Sequence, residues 1–123
     1  MSLIFPNHDH SVVVRSANAE VVSGSAAKIK LLVDSNTTGG ALSTVRVTLE
    51  KGAEGAKPHR HHHSAEMFYI LDGVVQILSG TDVLQAEPGD VIVVPPHLPH
   101  AFSAQRGSIA DLLIVITPGV ERF

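Results

Sequence analysis

Apolar residues in this chain recur at every second position or in short unbroken runs, and the runs end at Gly, Pro, Asn and Asp. That period belongs to strands, because successive side chains on a strand face opposite ways. Val45, Val47 and Leu49 alternate with Arg46, Thr48 and Glu50, which predicts a strand with one apolar and one polar face. Residues 28–33, 67–71, 74–78, 83–86, 91–94, 100–104 and 109–116 read as further strands, with 12–14 and 21–22 as short ones ahead of them. Between 67–71 and 74–78, the pair Asp72-Gly73 predicts a hairpin, since glycine takes positive φ at no steric cost. Ser79-Gly80-Thr81-Asp82 reads as a turn, residues 52–55 as another, and 34–40 as a loop. Helical periodicity is nearly absent. Many short strands with turn signals between them fit an all-β sandwich or small barrel.

The last strand, 109–116, is apolar on both faces apart from Asp111. One face belongs inside the barrel. The other needs cover, from the N-terminal strands in 11–33 or from a second subunit.

Composition narrows the picture. The chain has 123 residues, enough for one domain spanning 1–123. It is 44% hydrophobic but only 4% aromatic, so Val, Ile, Leu and Ala must build the core. The net charge of -3 offers no basic surplus for phosphates, so no nucleic-acid partner is expected. Without cysteine there are no disulfides and no thiolate metal sites. No apolar run approaches membrane-spanning length, and Met1-Ser2-Leu3-Ile4-Phe5-Pro6 lacks the charged start and long apolar stretch of a signal peptide. A cytoplasmic location with no membrane partner is the expectation.

The chemistry concentrates in Pro58-His59-Arg60-His61-His62-His63-Ser64-Ala65-Glu66, with His100 arriving on a distant strand. Imidazole nitrogen and carboxylate oxygen suit one divalent Fe, Mn, Ni, Cu, Co or Zn ion. On an extended chain His59 and His61 point one way, and Arg60 and His62 the other. Glu66 opens the next strand and shares its face with Phe68 and Ile70. Phe102 shares the face of His100. A polar metal point at the mouth of an apolar cavity follows, with His62 and His63 as solvated turn residues. Gln76 and Arg46 are candidate polar contacts in that cavity. Asp111 is a candidate partner for Arg46 or for a histidine, His97 a loop residue, and His8 and His10 belong to a terminus with no role.

These residues resemble two motifs of the cupin superfamily. His59 and His61, then Glu66 to Gly73, resemble its first motif, His-x-His-x(3,4)-Glu-x6-Gly. Gly89-Asp90-Val91-Ile92-Val93-Val94-Pro95 followed by His100 resembles the second, Gly-x5-Pro-x-Gly-x2-His-x3-Asn. Together they place the motif core within 55–104. The resemblance implies a double-stranded β-helix, an RmlC-like jelly-roll barrel, commonly dimeric, with His59, His61, Glu66 and His100 as the four metal ligands. Three departures stand out. His97 occupies the glycine position of the second motif, and Ala104 its asparagine position. Gly55 is out of register: it points to His61 and His63, which leave only two residues before Glu66, whereas His59 and His61 leave four. The spacing to Glu66 governs ligation directly, so His59 and His61 are the expected pair.

Similarity to quercetin dioxygenase-like cupins implies an oxygenase for a small hydrophobic or aromatic hydroxy or keto compound. Glu66 would double as a catalytic base, and Phe68, Ile70, Gln76 and Phe102 would contact the substrate. Two alternatives belong to other classes: a redox-silent isomerase, lyase or cyclase using the metal as a Lewis acid, and a non-catalytic small-molecule binder. A homodimer is expected in each case.

Overall fold

The computed structural model describes residues 11–120; His8 and His10 lie outside them. A short 3-10 turn at Ser16–Asn18 leads into β1 (Glu20–Ser23) and β2 (Ala27–Val33). A one-turn helix α1 (Ser35–Thr38) precedes β3 (Ser43–Leu49), β4 (Glu54–His59), β5 (Ala65–Gly73) and β6 (Val75–Ser79). Then come β7 (Asp82–Ala86), β8 (Val91–Val94), β9 (His100–Ala104) and β10 (Ala110–Thr117). They form two antiparallel sheets, β1-β2-β3-β10-β5-β8 and β4-β9-β6-β7, facing one another as a jelly-roll double-stranded β-helix.

The alternation in the sequence sets the packing. Val45, Val47 and Leu49 point inward and are at most 3% exposed, while Thr44, Arg46 and Thr48 point outward. On β5, Glu66, Phe68 and Ile70 face in; on β10, Leu112, Ile114 and Ile116 do. These side chains interdigitate with Val75, Ile77, Phe102 and Ala104 from the opposite sheet in one core.

Three expectations are corrected. Residues 12–14 form no strand and are exposed, because no strand among the described residues pairs with them. The 34–40 segment contains α1, because Asp34 caps it: the Asp34 carboxylate accepts from the N–H groups of Asn36 (2.9 Å) and Thr37 (3.1 Å). The pair Asp72-Gly73 does not join a hairpin. Both edges of β5 are already occupied, by β10 and β8, so β6 pairs with β7 and β9 instead. The chain therefore crosses between sheets at Gly73, whose φ of 72° and contact with the Ile109 backbone leave no room for a side chain. The true hairpin is β6–β7, where Ser79 pairs with Asp82 across Gly80-Thr81.

β1 and β2 lengthen the six-stranded sheet and add Ala27, Ile29 and Leu31 to the rim of the core. They do not lie over the outer face of β10. That face carries Leu113 and Val115, aligned with Tyr69 and Met67 of β5 and through these with Val91 and Val93 of β8.

Candidate metal centre

The two sheets bring four ligand residues to one point. His59 ends β4 directly opposite His100, the first residue of β9. His61 lies just past the end of β4, two residues on, and keeps the facing of His59. Glu66 reaches across from the six-stranded sheet. One ligand atom from each of the four lies within 4.8 Å of all the others. Ring centres are 4.3 Å apart for His59 and His100, 5.3 Å for His59 and His61, and 5.7 Å for His61 and His100.

Backbone carbonyls aim two of the rings. His59 Nδ1 donates to the Lys57 carbonyl at 2.7 Å, and His100 Nδ1 to the Leu98 carbonyl at 3.0 Å. A carbonyl can only accept, so each neutral ring carries its proton on Nδ1 and turns an Nε2 lone pair to the centre. The outer hydrogen bonds thus fix the tautomer that ligation needs. His61 Nε2 meets Glu66 Oε1 at 2.9 Å.

Glu66 and His100 are both almost wholly inaccessible, at 3% and 1% exposed. Burial pushes the Glu66 carboxyl up, but His100 and His61 outweigh it and hold the group below the usual carboxylate range. Burial pushes the His100 imidazole down, while Glu66 and the Leu98 carbonyl outweigh it and raise it. His100 Nε2 approaches Glu66 Oε2 only to 3.4 Å and makes no hydrogen bond. A buried nitrogen left without a partner is costly. A cation among these atoms would satisfy it, and three imidazoles with one carboxylate are the donor set such an ion takes. The residues present fit a divalent transition metal.

Beside this point a cavity of about 480 Å³ opens between the sheets. His59, His61 and Glu66 form its polar end, and Val45, Val47, Ile114, Ile116 and Phe102 its walls. Ala27 and Ile29 of β2 and Val120 close it, and among the described residues no Lys, Arg or Asp lines it.

The placement of the other candidates varies. Phe102 lines the cavity. Phe68 and Ile70 are fully buried behind the lining, with the Phe68 ring 5.5 Å from Phe102 and 6.2 Å from His100, edge to face. Gln76 falls between buried Val75 and Ile77, so alternation turns it to a groove on the outer face of the four-stranded sheet, beside Lys57 and Ser103. Arg46 is likewise outside. It forms a two-pronged pair with Asp111, through Nε at 3.0 Å and Nη2 at 2.6 Å, which accounts for the lone acid of β10. His62 and His63 are exposed. The sequence reading missed the aliphatic walls and Val120: period two shows which side chains face inward, but not which of them stand next to the histidines.

Comparison with known proteins agrees with this architecture. The family model described as "Cupin domain" matches residues 45–116. A 42-residue stretch is 36% identical to an uncharacterized protein, MJ1618, of Methanocaldococcus jannaschii; it covers 34% of each chain, so the match spans about a third of that relative. Among solved structures, KdgF from Halomonas sp. superposes with a TM-score of 0.68 at 21% identity, over 96% of this chain and 94% of that one. The iron(II) form of HppE gives a TM-score of 0.75 at 22% identity, over 88% of this chain and 61% of that one. At such identities the likeness is one of fold.

Proposed function

The chain belongs to the cupin domain family, and from that premise we propose that it is a metal-dependent oxygenase acting on a small hydrophobic or aromatic hydroxy or keto compound. The observation that carries the reading is the union of a three-histidine, one-carboxylate centre with an adjoining cavity whose other walls are aliphatic or aromatic. His59, His61, Glu66 and His100 would hold one divalent ion, of Fe, Mn, Ni, Cu, Co or Zn. Such an ion, when bound, offers a docking point for a substrate oxygen and, if redox-active, the means to engage O₂. The chain's own residues do the rest. The aliphatic walls exclude water and favour a flat, neutral molecule. Phe102 offers it a ring face. Glu66 is held ionised by its histidine neighbours, the form in which it accepts a hydroxyl proton.

Among the described residues the walls offer no cation, which favours neutral substrates over sugar phosphates and other multiply charged ones. The fold is shared with an iron(II) structure, that of HppE, which makes Fe(II) one of the ions to test. We propose further that the protein works as a homodimer. The rows Val91–Tyr69–Leu113 and Val93–Met67–Val115 leave an apolar sheet face that a second copy would cover. Its mass in solution, by light scattering, tests that point.

The test of activity is an anaerobic titration of protein loaded in turn with Fe(II), Mn(II), Co(II), Ni(II) or Cu(II), using a flavonol or a catechol. A shift in the compound's absorption, followed by oxygen uptake on admission of air, is the expected result. No shift with any of these metals would sink the oxygenase reading. Full turnover with zinc in the absence of oxygen would favour a redox-silent isomerase or lyase.

A further inference from the structure

His97 is the one residue other than glycine with a positive φ among the described residues, at 72°. It follows Pro96 in an exposed turn, and its N–H donates to the His61 carbonyl at 2.7 Å. A position of this kind is filled by glycine at no cost and by any other residue at a penalty. The backbone therefore keeps a conformation suited to glycine while carrying an imidazole. That imidazole meets a second one. The ring centres of His97 and His62 are 5.8 Å apart with planes at 68°. The spacing is nearly that of His61 and His100, 5.7 Å, within the four-residue centre. Two imidazoles sharing a tetrahedral ion, with bonds of roughly 2.0–2.1 Å, have ring centres roughly 5–6 Å apart. Both residues are exposed, so a hydrated cation can reach them directly.

We propose that His62 and His97 form a second, weaker site for a divalent transition cation on the exposed side of the segment that follows β4, with water completing the coordination. This site is separate from the centre of His59, His61, Glu66 and His100 and does not depend on the reaction carried out there. The cation class is that favoured by imidazole: Zn²⁺, Ni²⁺, Cu²⁺ or Co²⁺. Hard ions such as Mg²⁺ and Ca²⁺ would be refused for want of oxygen ligands.

The test is calorimetric titration of the metal-free, untagged full chain with Zn²⁺, with the histidine ring resonances followed by NMR. Wild type takes up two equivalents, the second more weakly, and the His62 and His97 rings shift together in the second step. His97→Gly suits the backbone and folds; it lowers the affinity of the second step at least tenfold and leaves the first unchanged. His62→Gln does the same, whereas His63→Gln keeps both steps. Uptake of a single equivalent by wild type, persistence of the second step in His97→Gly, or its loss in His63→Gln would each overturn the assignment.

Discussion

The ring of Phe102 packs on the bare backbone of Gly55: a Cβ at that glycine would overlap the ring edge. Residue 55 must therefore lack a side chain for the Phe102 wall of the cavity to stand where it does. Gly55→Ala forces the ring into the cavity or out of its rotamer, at about 1–3 kcal/mol of stability. Metal affinity should survive, since none of the four ligands moves with that ring, while affinity for an apolar ligand should fall. Calorimetry with metal and with a hydrophobic probe compares the two. Equal loss of both would show that Gly55 supports the metal centre rather than the wall.

Glu66 is the only carboxylate of the four-residue centre and the only ligand drawn from the six-stranded sheet. Glu66→Gln keeps the size of the side chain and removes its charge. Metal affinity should fall by about 10–100-fold or more, since loss of even an outer partner of a metal ligand costs that much. The fold should persist, because Phe68 and Ile70 on the same face are untouched. Titration of both proteins with the same metal checks the ratio. Unchanged affinity would remove Glu66 from the ligand set.

How far these features could be read from the sequence depends on how local their causes are. Period two is local, so Val45 to Leu49 and the inward face of β5 are legible. The choice of His59 and His61 rests on an equally local cause, the four-residue gap to Glu66, and the structure brings that pair together with Glu66 and His100. Arg46 was misplaced as a cavity contact: it sits between two inward valines, and alternation puts it outside, where it pairs with Asp111. The Asp72-Gly73 crossing was not legible. Local chemistry signals a turn there, but whether the next strand pairs back depends on β8 and β10 having taken both edges of β5. Gly55 looked out of register in the motif because its role is set by a ring on β9, 47 positions away.

Arg46 and Asp111 lie on the outer face of the six-stranded sheet, remote from the cavity lining. The Asp111 side chain is 15% exposed and that of Arg46 47%, and Asp111 raises the Arg46 pKa by hydrogen bonding and charge. Arg46→Ala leaves the acid half-desolvated with Thr48 as its remaining contact. Allowing for screening at so open a guanidinium, the cost should be about 1 kcal/mol, with no change in metal affinity. Denaturant unfolding and calorimetry check both halves. A drop in metal affinity would show coupling between the outer face and the centre.

Metal loading should stabilise the chain, because the unfolded state does not hold His59, His61, Glu66 and His100 together. The His61–Glu66 hydrogen bond is the contact that ligation would replace, and the unpartnered His100 Nε2 is the atom that gains most. For an ion that binds only the folded state, at a free concentration of 100 times its Kd, the gain is about 2.7 kcal/mol. In a chain of 123 residues that raises the midpoint of thermal unfolding by roughly 5–15 °C. A chelator should reverse the shift. His100→Ala should abolish it, even though the variant keeps three of the four ligands, because the buried ring anchors the centre to β9. Differential scanning calorimetry of both proteins, with and without metal, measures the difference. A full shift in His100→Ala would mean that the ion sits on the exposed histidines and not at the buried centre.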